Sequence, residues 1–143
     1  MRPLRVLQVV LGPAIVSSVF HYADNWVRYD QYPQDEPKLI TQPMVPISWV
    51  LFTIVGVWGY IQFRNGRWRP AAAALAVYSI SGLISPVHYT ADAPLSAYDG
   101  FQHAFIITDG LAGLAVLAFA VWAWRARGSD AAGGATTPLG QHG

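Results

Sequence analysis

The chain lacks cysteine, holds a single lysine and carries little charge of either sign: its 143 residues include nine basic and eight acidic side chains. Without cysteine there is no disulfide framework, no thiolate metal site and no cysteine nucleophile. The one lysine, Lys38, falls between apolar runs, which excludes a buried retinal-type Schiff base. Charged residues make up 12% of the chain, against about 25% in an ordinary soluble domain. With 53% hydrophobic residues, that balance excludes a disordered chain and argues against a water-soluble globule. A net charge of +1 with no basic cluster leaves no electrostatic footprint for nucleic acid. There is no serine nucleophile elbow, phosphate loop, paired-acid motif, nucleotide fingerprint or internal repeat.

What the chain does have is long apolar runs, at 4–22, 46–63, 70–87 and 102–124. A run of about 18 residues rises roughly 27 Å as a helix, close to the hydrocarbon core of about 30 Å. In lipid only a helix satisfies its own backbone over such a run. The expected fold is therefore an all-α, four-helix transmembrane bundle spanning residues 1–127. Pro46 and Pro70 fall in first turns, where a missing N–H costs nothing. Pro86 is expected to close the third span, and Gly12-Pro13 to bend the first without ending it. Trp122 and Trp124 mark an interfacial belt. The Gly/Ala/Thr-rich segment 128–143, with His142, is expected to be a disordered tail.

Arg2, Arg5, Arg64, Arg67, Arg69, Arg125 and Arg127 flank the spans on one side. Only Arg28 and Lys38 flank them on the other, with Asp24, Asp30, Asp35, Glu36, Asp92 and Asp99. The positive-inside rule then places both termini in the cytoplasm and the loops 23–45 and 88–101 outside. The excess of Arg over Lys, with much Ala and Gly, suggests a GC-rich bacterial genome, hence a bacterial cytoplasmic membrane. A rival reading takes the first run as a signal peptide cut after Val16 and Ser18, with a mature chain starting near Val19.

Inside lipid the polar residues need explaining. Asp109 lies well within the fourth span, where a carboxylate must be neutral, paired or facing a wet cavity. A hydrogen bond to a serine of a neighbouring helix would account for it structurally, with Gly110 and Gly113 permitting close approach. His21, His88 and His103 share the outer boundary level. His21 has Asp24 and Asn25 at i+3 and i+4 as candidate orienting groups. Ser81 and Ser85 sit on the turns beneath His88, and Gln102 shares a stripe with Asp109.

Three imidazoles and a carboxylate would suit zinc, copper or iron, although no compact ligand spacing is present. Placement in the headgroup region accounts equally for isolated histidines. Heme would need His21 and His88 to face each other across the bundle, and the deeper histidine pairs of transmembrane electron relays are missing. The loop 23–45, with Trp26, Tyr29, Tyr32 and the acidic run 34–37, could continue the first helix through its aromatic half and lie along the membrane surface; it is either a lid over the histidines or an aromatic anchor and linker.

The four spans, the basic turn Asn65-Gly66-Arg67-Trp68-Arg69-Pro70 and the outward acids resemble the emopamil-binding/sigma-2 receptor class in layout. That class relies on acids within its helices, and the second span here has none. The reading the residues favour is a small polytopic membrane protein with an outward pocket formed by His21, Asp24, Asn25, Ser85, His88, His103 and Asp109. It would take a small or lipid-like ligand, or a metal. The alternative is a non-catalytic accessory subunit or assembly factor whose polar residues dock helices or a partner. Proton-coupled transport comes third, four spans being few unless the chain forms a homo-oligomer.

Overall fold

The computed structural model describes residues 2–32, 40–90 and 93–133, with side chains described as far as Ala126. Four helices carry the chain: α1 (Pro3–Val27), α2 (Met44–Arg64), α3 (Trp68–Leu83) and α4 (Gly100–Gly133). No strand occurs among the described residues. All four helical segments are long and apolar enough to cross a membrane, the third when its helix is taken on through Thr90. The acidic run 34–37, Lys38, Asp92 and the tail beyond residue 133 lie outside the described residues.

Each helix packs on its sequence neighbours, and α4 closes the ring against α1, while the α1–α3 diagonal is slight. Side-chain pairs such as Ser17–Thr108 and Phe20–Phe105 run in opposite senses along α1 and α4, so those helices are antiparallel. Consequently Arg2, Arg5, Arg64, Arg67, Arg69 and Arg125 gather at one end of the bundle. The three histidines of the helical region gather at the other.

The sharp α2–α3 connection follows from one residue. Gly66 adopts φ 75°, and the Arg67 N–H reaches Gln62 O at 2.9 Å while the Gly66 N–H reaches Phe63 O at 3.0 Å. This pair of bonds is the Schellman closure of a helix, which favours glycine at the left-handed position.

Three helices depart most from the apolar runs. First, α1 continues past Tyr22 to Val27, because Arg28 ties back to Asp24 one turn earlier. Second, α3 ends at Leu83 and a 3₁₀ segment, Ser85–Thr90, follows it. Pro86 has no N–H and disfavours an α conformation at Ser85, so the chain tightens to shorter bonds such as Val87 N to Ile84 O, 2.9 Å. Third, α4 starts earlier and runs on to Gly133, so the segment expected as tail is helical from 128 to 133.

The interior is divided by polarity. At the basic end Leu7, Leu11, Ala14, Phe63, Leu75, Val116 and Phe119 form an apolar core. Toward the other end the buried residues turn polar: Ser18, His21, Ser79, Ser81, Ser85, Gln102 and Asp109. Outside, Val9, Leu51, Ile54, Ile80, Ile107 and Leu111 are exposed along the helix flanks, an arrangement suited to lipid rather than water.

Candidate functional site

The buried face of α1 repeats as Leu7, Leu11, Ala14, Ser18 and His21, alternating steps of four and three residues. That spacing keeps one stripe against a neighbouring helix, and it delivers His21 into the interior at 3% exposure. The 3₁₀ segment after α3 brings His88 opposite, with the two imidazole centroids 5.7 Å apart. Asn25, one turn beyond His21, places its Nδ2 3.0 Å from His88 Nε2.

Tyr32 then folds back over this pair. Its ring lies 4.8 Å from His88 and 6.5 Å from His21, and only 2% of it is exposed. Its hydroxyl donates to Asp24 Oδ2 at 2.7 Å. Arg28 donates to the other Asp24 oxygen through Nε at 2.7 Å and bridges by Nη1 to Asp99. Tyr98 completes the roof by donating its hydroxyl to His88 O.

Asp99 has a second task. It accepts from the N–H groups of Phe101 (2.8 Å) and Gln102 (2.9 Å), while Gln102 Oε1 accepts from Asp99 N (2.9 Å). This reciprocal cap starts α4 at Gly100. The Gln102 N–H and the Arg28 guanidinium hold the Asp99 carboxyl below its ordinary 3.8. Arg28 is pushed up by its bonds to the two aspartates, and Tyr32 is pushed up by burial and by Asp24.

A depressed carboxylate lends stability above its unfolded pKa and loses it as pH falls through the folded one. The roof is therefore expected to loosen below about pH 4, exposing Tyr32. Asp99→Asn keeps a good cap but not the titration, so its tyrosine fluorescence should change less over that range than the wild type's.

Two corrections concern the histidines. Asp24 and Asn25 do not orient His21 through Nδ1: Asp24 serves Arg28 and Tyr32, Asn25 serves His88, and His21 Nδ1 is buried without a hydrogen-bond partner. His103 does not share the centre of the His21–His88 pair. It turns to Tyr89, whose hydroxyl is 2.8 Å from Nδ1, and packs beside Tyr98. Among the described residues no group of three His, Asp or Glu side chains is placed to hold a metal ion. Tyr32 lies against His88, and Asn25 Nδ2 sits at hydrogen-bond distance from its Nε2.

Below this layer, Ser85 donates to Asp109 Oδ2 at 2.8 Å. The partner of Asp109 is thus a serine, from the segment that follows α3. Tyr22 donates to Ser81 O at 3.3 Å, and Trp49 Nε1 donates to Ser18 Oγ at 3.2 Å. Gln102 Nε2, like His21 Nδ1, is buried with no partner.

Tyr32, named in the loop read as a lid, does lie over the histidine pair; Tyr98, Tyr89, Arg28 and Asp99 are the members of this site that a reading of the sequence left out. Only the Asp99-x-x-Gln102 spacing, a helix-start signature, could have flagged any of them. No protein-family model, curated protein or solved structure matches the chain. Along α2 there is no acidic residue, so the layout resemblance to the emopamil-binding class assigns no role here.

Proposed function

We propose that the chain is a multi-pass protein of a bacterial cytoplasmic membrane. Its basic end and both termini face the cytoplasm, and its aromatic–histidine layer is a closed site for a small hydrogen-bonding molecule or the polar head of a lipid-like one. One observation carries the binding reading: His21 Nδ1 is buried beside His88 with nothing to bond. Such a group costs about 1–3 kcal/mol, a penalty that a bound polar molecule would relieve. Gln102 Nε2 offers a second unused donor on α4. Tyr32 acts as the lid, since it reaches the layer from beyond the end of α1 and donates its hydroxyl to Asp24.

The sign of one substitution tests this. In ligand-free protein His21→Leu removes an unsatisfied group and is expected to raise the unfolding midpoint by the equivalent of about 1–3 kcal/mol. The same variant should lose the thermal stabilisation that a screen of quinones, headgroup analogues and small organic acids finds in the wild type. A His21→Leu protein that is less stable than wild type, with no compound stabilising either, sinks the binding reading. Stoichiometric zinc, copper or iron that disappears in His88→Ala would replace the organic ligand by a metal.

The orientation has its own check, helped by the absence of native cysteine. Asp35→Cys is expected to react with an impermeant maleimide in intact cells, and Arg67→Cys only after permeabilisation. The reverse pattern overturns the placement of the histidines outside.

A second reading, a non-catalytic accessory subunit, is favoured by the Ser85–Asp109 bond. The deepest acid is already satisfied within the chain and needs no ligand. In that case the polar layer fixes helix positions, and a second copy or a membrane-complex partner covers the apolar flanks.

A further inference from the structure

At the opposite end from the histidines, α3 and α4 part to leave a cleft of about 300 Å³ on the flank of the bundle. Its walls are Ala72, Ala76, Ala120 and Val121, and its mouth is made by Trp124 and Arg125. The alanines create it, because neither helix puts bulk into the gap there. The Arg69 guanidinium stands 5.8 Å from the Trp124 ring centroid, at the same mouth. Three helix ends meet at this level and contribute Arg64, Arg67, Arg69 and Arg125.

We propose that this cleft binds one anionic phospholipid. An acyl chain lies along the alanines, and the phosphate sits between Arg69 and Arg125 at the level of the Trp124 indole. An apolar furrow continuous with a two-arginine rim fits an amphiphile with a negative head. Charge also argues against a second copy of the chain in the same place. A two-fold contact over the cleft would bring the Arg69 guanidinium against its own equivalent, whereas a phosphate is attracted to it. The inference rests on the membrane reading given above but not on the histidine site.

The test uses the full chain in mixed micelles with either phosphatidylglycerol or phosphatidylcholine, read by native mass spectrometry. Phosphatidylglycerol adducts should outlast phosphatidylcholine adducts as detergent is raised. The double variant Arg69→Gln/Arg125→Gln should weaken the phosphatidylglycerol adduct about thirtyfold, the combined effect of two surface arginines. Ala76→Leu fills the furrow and should remove the adduct while leaving both arginines in place. Equal retention of the two lipids, or retention untouched by the arginine pair, overturns the proposal. A detergent-resistant dimer that cross-links through Ala76→Cys would do so too, by giving the cleft to a second copy. A chain that stays soluble without detergent would instead fail the membrane reading itself.

Discussion

Gly82→Ala is expected to destabilise the bundle by about 3 kcal/mol or more, one of the largest effects a single methyl can have in this chain. A Cβ at Gly82 would stand 2.4 Å from Asp109 O and 3.0 Å from Gly113 Cα and N. These are backbone atoms of α4, so no side chain can rotate out of the way. The helices must separate instead, and with them the Ser85–Asp109 bond one turn further on. Gly113→Ala should behave alike, because its Cβ would meet Leu83 N at 2.8 Å and Ser79 O at 2.9 Å. The control is Gly12→Ala, where a Cβ meets nothing within 4 Å. Removing a glycine from a helix interior there should stabilise by about 0.5–1 kcal/mol. Equilibrium unfolding of the three variants in the same micelle gives the comparison. A Gly82→Ala protein within about 0.5 kcal/mol of wild type would contradict the tight α3–α4 contact, since ordinary surface changes are of that size.

The contrast between glycines shows what the sequence could and could not announce. Four apolar runs gave away four helices, because nothing else can bury or span such lengths. The turn at Asn65-Gly66-Arg67 was equally plain, since a left-handed residue is where glycine is used. Gly113 stands out beside Asp109 as a close-approach residue, but by composition alone Gly12 and Gly82 are the same residue in the same kind of helix, and only the position of α3 against α4 separates those two. The ends of the helices were less legible than their middles. Residues Ala23–Val27 lie beyond the first apolar run, yet they stay helical because Asp24 and Arg28 pair across one turn and Tyr32 folds over them. The first of those contacts is a local i,i+4 pair and the second a fold-back of the chain, and hydropathy registers neither.

The site divides in the same way. His21 and His88 were readable as sharing a level, since each ends an apolar run on the same side, and the two rings lie side by side. His103 shares that level too, but level is not azimuth. It follows Gln102, which turns inward to cap α4, and a step of about 100° carries it round to Tyr89. Tyr98 sits in a loop with no periodicity, so no pattern could have paired it with Tyr32 or with His88.

Asp109 supplies the second large effect, and it also tells the binding layer from its support. Asp109→Asn keeps an oxygen able to accept from Ser85 and keeps the shape, so its stability should stay within about 0.6 kcal/mol of wild type. Asp109→Leu removes the acceptor, strands the buried Ser85 hydroxyl and pushes a branched side chain toward the tight α3–α4 contact. A loss of about 2 kcal/mol or more is expected, beyond one interhelical hydrogen bond, because the orphan and the crowding add to it. Ser85→Ala alone leaves the carboxyl without its donor. Adding Ser85→Ala to Asp109→Leu takes away both partners, so the double variant should lose less than the sum of the singles. Ligand stabilisation then separates the roles. If the polar molecule sits at His21, one level above, Asp109→Asn should keep the thermal shift that His21→Leu abolishes. A shift lost in Asp109→Asn at unchanged stability would move the carboxyl from the scaffold into the site, and Ser85 with it.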